Sequence, residues 1–290
     1  MIPVVIDIHS HLWPMDRNPE SMRRYFQNRN SRFSFDADGL LASMEAAGID
    51  RTVVSALAFG PELTNQDIRG LNQYVADAVR QSDQKLLGFC TLNPFEAGSV
   101  DFLRSCMEDQ GFAGLKLHCN MQRFYPNDER LDAVYRQMQE YGKPILFHSG
   151  GIGVRPYGDI YGRPVYMDET ALKFPELKII LGHAGRIWYE ETAMLLRKHP
   201  NIYADVSTNF GKTKETLNWP MQQLLQTVKG WAGSTGHLLF GSDFPFYEQT
   251  DTRENLEDLA DGLTDSGLVT AAEVRRIITV NTETFLNKFI

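Results

Sequence analysis

The stretch Lys178-Ile-Ile-Leu-Gly-His183 is a short apolar run that stops at a histidine. Arg186–Lys198 follows, with apolar residues recurring at three- and four-residue spacing among charged ones. After the breaker His199-Pro200-Asn201 comes a second apolar run, Ile202–Val206. This order predicts strand, helix and strand. A near-continuous apolar strand is buried on both faces, as in a parallel sheet, and parallel neighbours need a helical crossover. Working outward, the same kind of run recurs at Val4–His9, Thr52–Ala58, Leu86–Leu92, Ala113–His118, Pro144–His148 and His237–Ser242, which brings the predicted strands to eight. Helix-period segments fall between them at Gly39–Gly48, Gln66–Gln81, Val100–Asp109 and Leu131–Tyr141. Several of these stop at breakers such as Gly48 and Gly142-Lys143-Pro144. Eight such units predict an α/β fold, a (β/α)8 TIM barrel forming a single domain over residues 1–290. Periodicity alone leaves a doubly wound open sheet as the alternative.

Composition narrows the function. The 290 residues carry 29 Lys+Arg against 37 Asp+Glu, a formal net charge of −8. A nucleic-acid surface needs clustered cations to displace counterions, so that class is excluded. The 17 Phe, 11 Tyr and 4 Trp exclude a disordered chain. Cys90, Cys106 and Cys119 form no CxxC pair, which suits a reducing compartment. The start Met1–His9 has no basic leader, and no apolar run approaches the roughly 18 residues of a membrane span. A cytoplasmic protein acting on a small molecule is expected, with neither nucleic acid nor membrane as partner.

The chemistry gathers at the carboxyl ends of the strands. His9 and His11 stand two apart in Asp7-Ile-His-Ser-His11, so both rings can share one face of an extended chain. His148 ends the fifth strand, His183 the sixth and Asp243 the eighth. In a barrel those ends form one rim, and imidazoles with a carboxylate suit Zn²⁺, Mn²⁺ or another divalent metal. Lys116 and His118 are a second i, i+2 pair that would add a cation and an imidazole if they face inward. Carboxylation of Lys116, bridging two metals, is one role open to it; countering the pocket's carboxylates is the other. His199 and His237 lie at a helix end and at the opposite rim, away from any such site. Two long connections, Leu12 to about Asp36 and Ser149 to about Arg163, leave the functional rim and carry aromatics and arginines suited to a substrate lid.

These residues resemble the amidohydrolase superfamily, in the amidohydrolase-related branch that contains aminocarboxymuconate semialdehyde decarboxylase. The matching stretches are Asp7–His11, Gly114-Leu-Lys-Leu-His118, Phe147-His-Ser-Gly150, Phe174–Gly185 and Phe240-Gly-Ser-Asp-Phe-Pro245, in order along nearly the whole chain. The resemblance implies a metal held by His9, His11, His148 and Asp243. His183 would be acid/base beside the bound water, and Asp243 would also accept a proton. It further implies either a metal-dependent hydrolase acting on an amide, ester, lactone or carbon–carbon bond, or a non-oxidative decarboxylase. The hydrolase is the favoured expectation, because the compact chain and its Gly-Leu-Lys-Leu-His strand look closer to hydrolase-type members. A barrel that binds a small acid without turning it over is the rival from another class. An acidic substrate needs a cationic anchor. Arg186, directly after His183-Ala-Gly, is the first choice among Arg17, Arg23, Arg155, Arg163 and Arg186, with capping of the helix expected to begin there as its alternative role. The C-terminal stretch Ala271–Phe289 has Val274, Ile277, Ile278 and Phe285 at helical spacings. It is expected to close the outer ring or to mark the face of a possible homodimer.

Overall fold

Strands β1 (Ile6–His11), β2 (Arg51–Ser55), β3 (Leu86–Thr91), β4 (Gly114–Leu117), β5 (Ile145–Phe147), β6 (Ile179–Leu181), β7 (Ile202–Asp205) and β8 (Leu238–Leu239) pair in parallel in chain order. The computed structural model describes residues 4–17, 20–27, 31–264 and 267–290. The helices are α1 (Glu20–Gln27), α2 (Ala37–Ala47), α3 (Asn65–Gln81), α4 (Ser99–Arg104), α5 (Cys119–Gln122), α6 (Asp132–Tyr141), α7 (Met167–Lys173), α8 (Tyr189–Lys198), α9 (Trp219–Ala232), α10 (Gln249–Asp261), α11 (Ala271–Arg276) and α12 (Thr282–Phe289). The fold is a (β/α)8 barrel, and all eight predicted strands are present.

Two departures from the predicted bounds shape the rim. Regular pairing of β8 ends at Leu239 because the chain then turns to meet β1. The Ile8 amide donates to the Phe240 carbonyl at 2.9 Å, the Asp243 amide to the His9 carbonyl at 2.7 Å, and the His11 amide to the Phe244 carbonyl at 2.7 Å. These bonds close the seam. On the other side, the pairing of β1 with β2 shifts register between Asp7 and Ser10. A bulge of this kind changes which side chains face inward. Ile6 and Ile8 therefore pack inside the barrel base, and His9 and His11 both reach the centre above them.

Elsewhere the period of two holds. Val53, Phe89, Leu146, Ile180, Tyr203 and Leu239 join Ile6 and Ile8 in an interior cluster, while neighbours such as Leu115, Leu117, Ile179 and Ala204 pack outward under the helices. The same alternation turns Lys116, between Leu115 and Leu117, into the barrel. Phe285 and Leu286 of α12 belong to the interior cluster as well. Phe285 meets the Tyr203 ring at 4.7 Å between centroids. Helix α12 is thus a plug for the barrel floor, which corrects the expected place in the outer ring for that end of the stretch, while Val274, Ile277 and Ile278 are buried in the outer layer beneath the helices. Helical spacing looks the same for both placements.

The first long connection contains α1, and its Trp13 is fully buried against Phe59 and Phe26, so it anchors the rim from inside. Residues 18–19 and 28–30 of that connection lie outside the described residues. No helix among the described residues is long and apolar enough to cross a membrane.

Phe285→Ala removes the largest side chain that α12 places in the barrel. We expect a loss of about 3–5 kcal/mol, the usual cost of a Phe-sized core truncation, measured by guanidinium unfolding. A loss below about 1 kcal/mol would show that the floor does not depend on this helix.

Candidate active site

Above the interior cluster the barrel turns from apolar to polar within one pair of residues per strand. His9 and His11 come from β1, Lys116 from β4 and His118 from just past it, His148 from just past β5, His183 from just past β6, Asp205 from β7 and Asp243 from past β8. All eight are buried. His183, Thr208 and Asp243 hold left-handed backbone, with φ of 59°, 59° and 68°. Such conformations in non-glycine residues persist where the surroundings over-determine them, and they cluster at functional sites.

The protons can be placed by elimination. The Nδ1 of His9 lies 2.8 Å from Asp205 Oδ2. A carboxylate accepts, so His9 donates from Nδ1 and turns a lone pair on Nε2 toward the centre. His11 Nδ1 lies 3.2 Å from the Ser55 carbonyl, which can only accept, so His11 also presents a lone pair on Nε2. Those two nitrogens are 3.2 Å apart, and Asp243 Oδ1 is 3.3 Å from His11 Nε2 and 3.7 Å from His9 Nε2. Ser207 gives its hydroxyl proton to Asp205, so His183 Nδ1, at 2.8 Å, donates to Ser207. His183 Nε2 then accepts from His148 Nδ1 at 3.0 Å. His148 Nε2 is left buried with no partner.

Acceptors facing acceptors at these distances repel unless a cation lies among them. Lys116 supplies one, its Nζ 2.9 Å from His9 Nε2. A divalent metal would serve the same purpose, and the donor set fits one. His9, His183 and Asp243 offer ligand atoms all within 4.8 Å of one another, His11 stands beside them, and the orphaned His148 nitrogen is a further donor. The bonds from Asp205 to His9 and from Ser55 to His11 are the outer contacts that fix tautomer and ring direction in metal-binding imidazoles.

Burial dominates the electrostatics. It holds His11, His118, His148 and His183 well below the usual imidazole range, with the Lys116 charge adding to it, so these rings are neutral at pH 7. Burial also lowers Lys116 to about 8, partly offset by Asp243 and Asp205. Asp243 is raised to about 6 by burial, against the pull of His9 and Lys116. Asp205 differs: burial pushes it up, but His9 and Ser207 outweigh that and hold its carboxyl below the ordinary value.

A cavity of about 350 Å³ opens over this cluster, lined by His11, His118, His148, His183 and Asp243 on its floor. Leu57, Ile152, Tyr157 and Phe246 form apolar walls, and Arg186 and Lys212 stand at its edge. Ile152 and Tyr157 come from the second long connection, as a lid would supply. His118 stacks on His148 at 3.9 Å between centroids and accepts the Met121 amide. Helix α8 begins only at Tyr189, so Arg186 does not cap it. Instead it donates to the Thr208 hydroxyl at 3.1 Å and to the Gly151 carbonyl at 3.3 Å. Arg163 is spent on Glu191 and does not line this cavity. His199 bonds Asp168 and His237 bonds the Ile202 carbonyl, both away from the cluster as expected.

Sequence reasoning missed Asp205, Ser207 and Lys212. Asp205 had a signal, since it ends an apolar strand as the metal-site candidates do. Lys212 had none, being a loop lysine among many.

The Amidohydrolase family model matches residues 6–288. No curated protein matches the chain. Among solved structures, a 2,6-dihydroxybenzoate decarboxylase complexed with 2,6-dihydroxybenzoate is 16% identical at a TM-score of 0.71, covering 99% of this chain and 100% of its own. A dihydroxybenzoic acid decarboxylase from Polaromonas, with bound manganese and 2-nitroresorcinol, is 17% identical at 0.72, covering 99% and 97%. An uncharacterised TIM-barrel protein from Bordetella bronchiseptica is 18% identical at 0.72, covering 98% and 99%. At these identities the likeness is one of fold.

Asp205→Asn keeps the size of the side chain but weakens its hold on the His9 tautomer. We expect Mn²⁺ affinity to fall about 10–100-fold, read by competition with a chelator. Unchanged affinity would remove Asp205 from any role in orienting His9.

Proposed function

The chain belongs to the Amidohydrolase family, and from that premise we propose that it is a metal-dependent enzyme acting on a small carboxylic acid, with non-oxidative decarboxylation the reaction that the site fits best. The observation that carries this reading is Arg186, a guanidinium without a carboxylate partner among the described residues, at the edge of an apolar-walled cavity floored by histidines and Asp243. A planar fork of donors in that position matches a substrate carboxylate. Two of the structural neighbours are decarboxylases of hydroxybenzoic acids, one holding manganese, and this lends further support.

His9, His11, Asp243 and the unpartnered Nε2 of His148 would hold the divalent ion, Zn²⁺ or Mn²⁺; His183, whose Nε2 lies near them, is left out of the set because that nitrogen accepts from His148 Nδ1. When bound, it supplies Lewis acidity to a substrate oxygen or to a water. The remaining work belongs to the chain. Arg186 orients the acid, and Leu57, Ile152 and Phe246 exclude water around it. As carbon dioxide leaves, the electrons of the broken carbon–carbon bond stay on the carbon that carried the carboxylate, which must take up a proton. Asp243 and His183, side by side on the cavity floor, are the groups placed to handle that proton. His183, bonded through Nε2 to His148 Nδ1 and through Nδ1 to Ser207, is the one we assign as acid/base.

Hydrolysis of an amide, ester, lactone or carbon–carbon bond is the second reading. The same Asp243, on the floor of the cavity, is placed to take a proton from water. A reducing intracellular setting goes with either reading, since Cys90, Cys106 and Cys119 are all free and buried.

Assaying small aromatic acids and lactones for carbon dioxide and for new carboxylate separates the two. Carbon dioxide without new acid groups is expected; new carboxylate without carbon dioxide would put hydrolysis in its place. His183→Asn should lower kcat about 10²–10⁴-fold, the usual contribution of an acid/base group, with metal content unchanged. Loss of metal would instead make His183 a ligand. Arg186→Ala should cost about 10–100-fold in kcat/KM, as losing a charge-assisted hydrogen bond of about 1.5–3 kcal/mol predicts.

A further inference from the structure

A second and larger cavity, of about 600 Å³, abuts the one over the histidines and shares Arg186, Lys212 and Tyr247 with it. The partition between the two is therefore made of side chains that face both. Lys212 donates to the Tyr247 hydroxyl at 2.9 Å and lies 5.3 Å from the centre of its ring. Like Arg186, it has no carboxylate partner among the described residues.

The outer cavity is a built groove. Its far wall is the turn 211–217, where the Gly211 amide donates to the Leu217 carbonyl at 2.8 Å. A Cβ at Gly211 would come within 2.1 Å of the Thr216 carbonyl oxygen, so only glycine lets the turn close this tightly. The inner wall is fixed by Tyr189, whose hydroxyl donates to Asn209 at 3.0 Å, and by buried Phe210. Trp219 and Pro220 open α9 at the rim, and Trp219 is 61% exposed. A large indole left in water beside a cavity that shares three lining residues with the reaction chamber has a ready use as a stacking surface.

We propose that this groove is an outer substrate subsite, and that the natural substrate is an elongated acid carrying a second, uncharged aromatic ring. This deepens the reading above and rests on it. The reacting end would occupy the inner cavity, its carboxylate held at Arg186. The chain of the molecule would pass between Arg186 and Lys212, and the distal ring would stack against Trp219 and Tyr189. The groove's acidic residue, Glu190, disfavours a second carboxylate there, while Asn209, Gln223 and Thr216 can bond hydroxyl substituents on a ring.

Calorimetric binding to the Mn²⁺-loaded protein tests this without requiring turnover. The probes are benzoate, which is confined to the inner cavity, and 4-benzyloxybenzoate, which reaches beyond it. Wild type should bind the two-ring acid at least tenfold more tightly. Trp219→Ala, and independently Gln223→Trp, which crowds the groove, should each bring the two affinities within about threefold of one another while thermal melting confirms the fold. Equal affinities in wild type, or a preference that survives both substitutions, would overturn the subsite yet leave the inner acid site standing. Failure of both acids to bind would sink the acid reading and the subsite together.

Discussion

One carboxylate holds the barrel shut. Asp7 accepts the His9 amide at 3.0 Å, the Ser242 amide at 3.0 Å, the Ser242 hydroxyl at 2.5 Å, the Ser10 hydroxyl at 3.0 Å and the Gln249 amide at 2.8 Å. Its donors come from the first strand, from the segment beyond the last strand and from α10. Burial raises its pKa, and the hydrogen bonds pull it back only in part. A buried carboxylate is tolerated only when its lone pairs are met, and here each oxygen is met at least twice. Where the strand ladder gives out at Leu239, this acid continues the closure with side-chain and amide bonds.

The site inherits its geometry from that closure. His9 and His11 flank Ser10, and Asp243 follows Ser242, so the residues bound to Asp7 are the sequence neighbours of the clustered donors. Strain is placed there too, in the left-handed backbone of His183, Thr208 and Asp243. The histidines would otherwise drift apart, since their central lone pairs repel. Asp205, Ser207 and Ser55 hold the imidazoles from behind, which leaves the inward nitrogens committed to whatever cation stands between them.

Much of this was legible in the sequence, for physical reasons. A strand buried on both faces is apolar throughout, so all eight announce themselves, and a histidine at the end of such a run stands out against it. The placement of α12 was hidden because Phe285 at helical spacing looks the same whether it packs on the barrel or inside it. The bulge in β1 was hidden as well: Ile6, Ile8, His9 and His11 cannot share one face of a regular strand, yet nothing local marks where the phase changes. Asp205 was one acid among 37 Asp+Glu, distinguished only by its register. Arg186 was found by position, but its loop conformation rather than a helix start is what frees its guanidinium.

The seam has a consequence for the order of events in folding. It joins residues more than two hundred positions apart, and the floor is sealed by a helix from the far end of the chain. Bringing such distant segments together costs loop-closure entropy before any contact repays it. A nascent chain emerging from the ribosome can therefore present His9 and His11 long before Asp243 exists to face them, and can build most of the sheet before Phe285 arrives to fill it. In that sense the donor cluster is a record of completion. It comes into being with the last strand and the final helix, so an ion that needs both histidines and the aspartate would select the finished barrel over every shorter intermediate.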